Sequence, residues 1–466
     1  MKNRDQYKRM FRLLSSVIIL LIQTIIFASI WYSYYDRVEV LYLPFFRRGN
    51  YVVIGLYCLI SFLFYKLYGC FNIGQQKILD TLYAQIISVL CINAVTYLQL
   101  SLIGHFSFLS HIEPILKMTV IDIILVFVWV LLTRWIVVRL YPPRELVLVY
   151  GEYDPENLIQ KIASRDDKYT IMETVRYDEN MDTIQEKILH YGCAVFTDIP
   201  SKPRNALLKF CFRNDIRCYS VPKISDIMIM SAENIHLFDT SLLLFRNKGL
   251  SIEQRVFKRM FDIIGSIVAL AILSPLMLLI AVCIKLYDRG PVFFTQERLT
   301  QDGAVFKLIK FRSMRSETGD TEYCMTRKND ARITPVGKVL RRIHFDELPQ
   351  LINILKGDMS FVGPRPECPD IAEQYRQSIP EFDFRLKVKA GLTGFAQVHG
   401  KYNTTPYDKL KLDLTYIENY SFWLDMKLIM LTIKVLLQKE NTEGIESWQK
   451  TAATIKDTEQ DPGRQI

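Results

Sequence analysis

The sequence predicts a membrane protein of mixed α and α/β class. Four long apolar runs occupy the first 144 residues, and short apolar strands alternate with amphipathic helices from residue 145 onward. A fifth apolar run follows, with a proline near its middle, ahead of a charged, mainly helical segment. The predicted parts are a four-helix transmembrane region (1–144), an α/β domain (145–250), a mainly helical monotopic domain with a re-entrant membrane helix (251–440), and a polar tail (441–466).

Composition and charge support a membrane setting. Half of the 466 residues (50%) are hydrophobic and 12% are aromatic, which is rich for a soluble protein. The formal net charge of +9 suits anionic lipids and phosphorylated substrates. Nucleic acid is the other usual partner of a basic chain, but no recognisable RNA- or DNA-binding module is present, so we expect none. The nine cysteines lack metal-type spacing and are expected to be reduced.

The four N-terminal runs cover residues 13–31, 51–67, 79–103 and 118–140. Each is long enough to cross a hydrocarbon core of about 30 Å. Basic residues ahead of the first run place the N-terminus in the cytoplasm, and four crossings return the chain to that side.

The α/β segment shows a modified nucleotide-binding turn. Its first strand, ELVLVYG, leads into Gly151-Glu152-Tyr153-Asp154-Pro155. The second and third glycines of a dinucleotide fingerprint are absent, and acidic residues stand where a pyrophosphate would lie. We therefore predict a Rossmann-like domain that binds no dinucleotide and has a regulatory role or bridges subunits, for example in a homodimer.

The fifth apolar run, 263–284, decides on which side of the membrane the rest of the chain lies. Its hydropathy alone predicts another crossing, which would place Asp346 outside the cell. However, Ser274-Pro275 interrupts the run, and proline removes a backbone hydrogen bond. Basic residues flank the run on both sides, so a bend that returns both ends to the cytoplasm satisfies the charge rule.

An acidic pair forms the centre of the C-terminal segment. Asp346 and Glu347 stand just ahead of Pro349, and apolar residues then recur at helical spacing. A helix that starts at the carboxylates would favour their ionised forms, as a nucleophile or a metal ligand requires. A simple helix cap is the alternative reading of the pair.

Basic residues bracket this pair in three clusters. Lys310 and Arg312 alternate along one strand, Arg341 precedes the pair by about one turn, and Arg365 is fixed between two prolines. Because anions and a metal are the expected ligands of such a set, the pattern predicts a phosphate-binding site.

Four motifs carry a family resemblance. They cover residues 290–314, 330–342, 341–367 and 387–401, and in this order they resemble the bacterial sugar transferase family, the monotopic polyprenyl-phosphate hexose-1-phosphate transferases. The resemblance extends over about 254–437. The N-terminal layout is similar to the large subgroup that starts capsule, exopolysaccharide or O-antigen synthesis.

The resemblance implies transfer of hexose-1-phosphate from a UDP-hexose to undecaprenyl phosphate, with release of UMP. Asp346 would be the nucleophile and a Mg²⁺ ligand, with Glu347 supporting metal or proton handling. The implied location is the bacterial inner membrane, with the catalytic domain on its cytoplasmic face and membrane lipids as partners. The residues expected to bind substrate or phosphate are Lys310, Arg312, Arg341, Arg365, Glu367 and Gln397.

Two other functions are weighed against this one. A membrane sensor or scaffold would use the acidic pair only as a helix cap, and it would be inactive with every UDP-sugar. A glycosyltransferase that moves the sugar without its phosphate would release UDP instead of UMP.

Overall fold

The computed structural model describes residues 2–36, 47–103, 111–153, 155–245, 249–314, 332–400 and 404–436. Contacts divide the chain into two compact units, Met1–Pro222 and Lys223–Ile466. The predicted polar tail, 441–466, lies outside the described residues.

Long apolar helices open the first unit. They are α1 (Lys2–Ile30), continued by a π-helical turn (Trp31–Tyr35), α2 (Arg47–Leu67), α3 (Ile78–Ile103) and α4 (Glu113–Leu140). Neighbouring helices pack in the order α1, α2, α3, α4, and α4 returns to α1. Their buried faces meet in a core that includes a polar group: Asn93 Nδ2 donates hydrogen bonds to Thr119 Oγ1 (2.9 Å) and to Asp122 Oδ2 (3.2 Å).

A small parallel sheet completes the first unit. Its elements are β1 (Arg144–Tyr150), α5 (Glu156–Ala163), β2 (Tyr169–Arg176), α6 (Met181–Tyr191), β3 (Cys193–Thr197), α7 (Ser201–Arg213) and β4 (Arg217–Ser220). The strand order is β2-β1-β3-β4, and every pairing is parallel. Strand β2 is not predicted from the sequence, because it is a half-exposed edge strand with polar residues at alternate positions.

The turn after β1 uses its backbone donors internally. The amide groups of Glu152 and Tyr153 both donate to Asp198 Oδ2, each at 3.2 Å. A Cβ on Gly151 would lie 2.0 Å from the Asp198 carbonyl oxygen, so only glycine fits where the ends of β1 and β3 approach. Asp198 therefore holds the amide groups that a phosphate would need; the absence of a dinucleotide stays a prediction.

The second unit contains short elements around one long helix. The elements before and around that helix are α8 (Ile224–Ser231), β5 (Glu233–Leu237), β6 (Thr240–Leu244), α9 (Ile252–Asp288), β7 (Phe293–Leu299), a 3-10 turn (Gln301–Gly303) and β8 (Val305–Phe311). The elements that follow are α10 (Pro335–Arg342), a 3-10 turn (Phe345–Glu347), α11 (Gln350–Lys356), β9 (Ser360–Val362), α12 (Pro369–Ser378), a 3-10 segment (Pro380–Lys387), β10 (Gly391–Thr393), α13 (Phe395–His399), α14 (Pro406–Glu418) and α15 (Phe422–Leu436).

Helix α8 belongs to the second unit. Ile224 and Ile227 pack in one core cluster with Leu410 and Leu414 of α14. The first compact unit ends at Pro222, whereas the sequence predicts an α/β domain that extends to 250. That domain boundary stays a prediction.

Helix α9 runs without interruption through Pro275, where the sequence predicts a break. Ala269, Leu270 and Leu273 pack against one core cluster of the second unit, and Ile280 and Ile284 are buried in another. Both sides of Pro275 therefore contact the same domain. By length and composition, five described helices could cross a membrane: α1 to α4 and α9. The number of crossings and the re-entrant path stay predictions.

Candidate active site

The acidic pair lies in the 3-10 turn Phe345–Glu347. This turn follows His344, whose φ of 56° places it in the left-handed region, and it precedes α11. The helix begins at Gln350, after Pro349, and not at the carboxylates as the sequence predicts. Leu348 and Pro349 both have helical φ and ψ, so the 3-10 turn that carries the acidic pair leads directly into α11.

Glu347 pairs with two basic side chains. Its Oε1 accepts hydrogen bonds from Lys310 Nζ (2.8 Å) and from Arg365 Nη2 (2.9 Å). Burial alone would raise the pKa of Glu347, but Arg365 and Lys310 together hold the pKa well below its usual range. Glu347 is therefore an ionised bridge between the strand cluster and the segment between the two prolines.

Asp346 is in a different situation. It is half-buried, and its carboxylate accepts no hydrogen bond from any residue that the structure describes. Burial, and then the charge of Glu347, raise the pKa of Asp346, while Lys310, Arg341 and His344 oppose that shift. Of the two acids, Asp346 is the one with uncommitted oxygen atoms.

Asn353 fixes the strand that carries Lys310 through hydrogen bonds to its backbone. Asn353 of α11 accepts a hydrogen bond from the Ile309 amide (3.0 Å) and donates one to the Lys307 carbonyl (2.8 Å). These bonds fix β8 beside α11, so Lys310 extends toward the turn that carries Glu347.

The other predicted cations lie differently. Arg341, in the last turn of α10, favours the charged form of Asp346 and contacts Met314 Sδ at 3.4 Å. Arg312 lies against Gly290, since a Cβ there would be 2.2 Å from Arg312 Nη1. Arg312 lies just beyond β8, although its amide still donates to the Val292 carbonyl (2.9 Å), and the face shared by Lys310 and Arg312 stays a prediction.

Two predicted substrate-binding residues have internal partners. Glu367 pairs with Lys409 and lies 3.4 Å from Arg385 Nη1, and these cations lower its pKa to about 2 against the opposing effect of burial. Gln397 Nε2 donates weakly to the Leu392 carbonyl at 3.5 Å. Neither side chain contacts the acidic pair among the described residues, so their binding roles stay predictions.

The glycines near Gln397 pack against the chain itself. A Cβ on Gly391 would lie 2.0 Å from the Gly363 amide nitrogen, and one on Gly394 would lie 2.1 Å from the Gly363 carbonyl oxygen. Strands β9 and β10 pair in parallel here. These glycines therefore place the segment that carries Arg365.

Arg298 and Arg385 also contact the segment that carries Arg365, and neither is predicted from the sequence. One signal was available for the partner of Arg385: Asp413 stands on the apolar face of α14, between Leu410 and Leu414, where a lone charge requires a buried counterion.

The donor set bears on a metal site. No group of three or more His, Cys, Asp or Glu side chains suited to a metal occurs among the described residues. Mg²⁺ commonly takes only one or two protein carboxylates together with substrate phosphates. Asp346 fits that pattern, whereas the Oε1 of Glu347 is already shared by two cations.

Comparison with known proteins is informative for the same region. The profile of the family described as bacterial sugar transferase matches residues 253–439. A UDP-N-acetylgalactosamine-undecaprenyl-phosphate N-acetylgalactosaminephosphotransferase of Aeromonas hydrophila is 32% identical over 321 residues, which cover 67% of this chain and 72% of that protein. These matches confirm the resemblance carried by the four motifs.

Two further relatives match over shorter lengths. A UDP-glucose:undecaprenyl-phosphate glucose-1-phosphate transferase of Klebsiella pneumoniae is 46% identical over 183 residues, covering 38% of this chain and 39% of the relative. The Galactosyl transferase CpsE of Streptococcus agalactiae is 36% identical over 242 residues, covering 48% of this chain and 53% of the relative. The chain thus spans well under two thirds of the length of both.

Proposed function

The chain belongs to the bacterial sugar transferase family, and on that premise we propose that it moves hexose-1-phosphate from a UDP-sugar to a polyprenyl phosphate, releasing UMP. The relatives from Aeromonas hydrophila and Klebsiella pneumoniae are named for reactions of this type on undecaprenyl phosphate. Such a reaction would start capsule, exopolysaccharide or O-antigen synthesis.

The contrast between the two acids carries the proposal. Glu347 is held by Lys310 and Arg365, whereas the carboxylate of Asp346 accepts no hydrogen bond among the described residues and lies beside those cations. A nucleophile needs an accessible, ionised oxygen, and a phosphoryl acceptor site needs nearby positive charge. Asp346 has uncommitted oxygen atoms, and Lys310 and Arg341 favour its ionised form against the effects of burial and of Glu347 on its pKa.

In the first step, a carboxylate oxygen of Asp346 attacks the phosphorus that bears the sugar. The bond from that phosphorus to the bridging oxygen of the diphosphate breaks, and UMP leaves with the electron pair. The product on the protein is an acyl phosphate, in which one phosphoryl group joins the Asp346 carboxylate to the hexose. Arg341 and Arg365 neutralise the charge that develops on the phosphoryl oxygens.

In the second step, a phosphate oxygen of the lipid attacks the same phosphorus. The bond to Asp346 breaks, the carboxylate is regenerated, and the polyprenyl-diphospho-sugar forms. Neither step requires a proton to be transferred, which suits a site built from cations and one uncommitted carboxylate.

Asp346 is the protein residue that would hold Mg²⁺ next to the donor diphosphate. When bound, the ion supplies neutralisation of the diphosphate charge. Lys310 and Arg365 remain on Glu347 and face the same anion from the protein side.

The location proposed for this domain is the cytoplasmic face of the bacterial inner membrane. Helix α9 packs on its own domain on both sides of Pro275, and it also exposes apolar residues, for example Ile272 (71% exposed) and Leu278 (67% exposed), which a lipid surface would cover. This arrangement favours a re-entrant path near Ser274-Pro275 over a crossing. A homodimer and the Rossmann-like assignment of the α/β part stay predictions.

Cysteine labelling should show both ends of α9 on the cytoplasmic side. In a cysteine-free background, Glu253→Cys and Leu286→Cys are both expected to react only with a reagent added on the cytoplasmic side of the membrane. A re-entrant helix returns to the side that it entered. Glu113→Cys, at the start of α4, serves as the control and should react from outside. Labelling of the two α9 positions from opposite sides would establish a crossing.

The reaction itself is tested by the nucleotide released. Purified protein in detergent or liposomes should release UMP and form polyprenyl-diphospho-sugar with at least one of UDP-glucose, UDP-galactose, UDP-N-acetylglucosamine and UDP-N-acetylgalactosamine. Release of UDP would identify a glycosyltransferase, as the name of the Streptococcus agalactiae relative suggests for that protein. No product with any donor would favour a sensor or scaffold.

A further inference from the structure

The backbone that carries Arg365 is held by its carbonyl groups. Pro364 and Pro366 have no amide hydrogen, so carbonyl oxygens are the main hydrogen-bonding groups left in this segment. The Gly391 amide donates to the Pro364 oxygen, and the Leu299 amide donates to the Glu367 oxygen, each at 2.9 Å. Two different strand regions therefore hold the ends of the segment.

Arginine side chains hold its middle. Arg385 Nη2 donates to the carbonyl oxygen of Arg365 at 2.9 Å, and Arg298 Nη1 donates to that of Pro366 at 3.2 Å. All four successive carbonyls from Pro364 to Glu367 thus accept a hydrogen bond.

Arg385 connects this segment to the rest of the domain. Its side chain is almost fully buried, its Nη2 lies 2.7 Å from Asp413 Oδ2 on α14, and its Nη1 lies 3.4 Å from Glu367 Oε1. Its guanidinium also lies over the Phe382 ring, with 5.0 Å to the centroid. Such a buried, paired cation has one orientation, and a planar fork can serve several acceptors at once.

We propose that Arg385, with its counterion Asp413, is a positioning residue that fixes Arg365 against Glu347 and so sets where the donor's phosphates bind. The inference rests on the proposed function, because it concerns how the phosphate-binding arginine is placed. Arg385 acts through the Arg365 backbone and has no contact with the acidic pair among the described residues. Glu367 is, in this arrangement, an anchor for Arg385 and Lys409.

The first experiment removes the pair while keeping the fold. Arg385→Met with Asp413→Asn eliminates both buried charges, since removing one alone would leave the other unpaired. Turnover is expected to fall by about 30-fold, because a shift of about 1 Å in a phosphate-binding group is enough for a loss of that order. Arg385→Lys should lose about 10-fold, since an ammonium cannot reproduce the planar fork.

The matched control is Arg376→Met. This guanidinium is more exposed and pairs with Glu373 and Asp383, beside the same 3-10 segment but away from residues 364–367. Its loss should leave turnover within about 2-fold of wild type, as for most surface ion pairs.

Repeating the double substitution in an Arg365→Lys background distinguishes a positioning role of Arg385 from a general structural role. If Arg385 acts through Arg365, the double substitution should cost less than about 3-fold when Arg365 is already lysine, because coupled residues are not additive. An equal loss in both backgrounds would overturn the proposal, and so would unchanged turnover in the wild-type background.

Hydrogen exchange provides a readout independent of catalysis. The Gly391 and Leu299 amides should exchange at least about 10-fold faster in the double variant, while the Val149 amide in β1 stays unchanged. Unchanged exchange at both amides would overturn the proposed role in holding the segment. If wild-type protein releases no UMP with any donor, the proposed function fails, and the exchange result still decides whether Arg385 holds residues 364–367.

Discussion

Asp346→Asn is expected to abolish UMP release and lipid product, with a loss of at least about 1,000-fold, while the protein still folds and binds the membrane. The amide is nearly isosteric with the carboxylate but is a poor nucleophile. Asp346 accepts no hydrogen bond from the described residues, so the substitution breaks no hydrogen bond among them and removes only its electrostatic interaction with Lys310 and Arg341. Release of UMP from each UDP-sugar donor measures the effect.

The covalent intermediate should be directly visible in the wild-type protein. With donor present and lipid withheld, UMP should appear in a single burst, since the first step needs no lipid. Mass spectrometry should then find a hexose-phosphate on the peptide that contains Asp346. With both substrates, initial rates should follow ping-pong kinetics.

The control for this substitution is Asp370→Asn, at an exposed position in the first turn of α12. It makes the same chemical change and should keep the burst and the adduct. Intersecting kinetics with neither adduct nor burst in the wild type would instead make Asp346 a metal ligand only, with direct attack by the lipid phosphate on the donor.

Local patterns were enough to predict much of this architecture. Long apolar runs identify α2 to α4 within about five residues, whereas α1 begins at Lys2 and includes the basic residues ahead of its apolar run. The position of Asp346 and Glu347 just ahead of Pro349 likewise predicts the centre of the candidate site, and their catalytic roles stay predictions. In these cases the structural information lies within one short stretch of sequence.

Long-range partners could not be predicted in the same way. Arg385 meets Asp413 and the Arg365 carbonyl only after three separate elements pack together, and nothing near Arg385 distinguishes it from a surface arginine. The common face of Lys310 and Arg312 stays a prediction, because β8 ends at Phe311 and alternation is defined only within the strand. The burial of α8 likewise depends on α14, which lies about 180 residues later in the chain, so its neighbours cannot be inferred from local sequence.

Glu347→Gln is expected to lower turnover by about 100-fold, a loss typical of removing one preorganised electrostatic group. The carboxylate holds Lys310 and Arg365 at 2.8 and 2.9 Å, and a neutral amide would leave both cations without their counterion. Unlike Asp346→Asn, this variant should still form the hexose-phosphate adduct, only more slowly. Glu373→Gln, an exposed partner of Arg376, is the matched control and should be close to wild type.

The pH profile of Glu347→Gln should also change, since its acid limb is expected to shift to lower pH while its maximum activity falls. Burial and then Glu347 raise the pKa of Asp346, and a nucleophilic carboxylate must be ionised, so wild-type activity is lost as the pH falls through that raised pKa. Removing the charge of Glu347 leaves Lys310 and Arg341 to stabilise the ionised form. The acid limb of kcat/KM should therefore move to lower pH in Glu347→Gln, although its maximum is reduced. A limb that moved to higher pH, or vanished, would show that Glu347 itself titrates in the reaction and is not a fixed counterion.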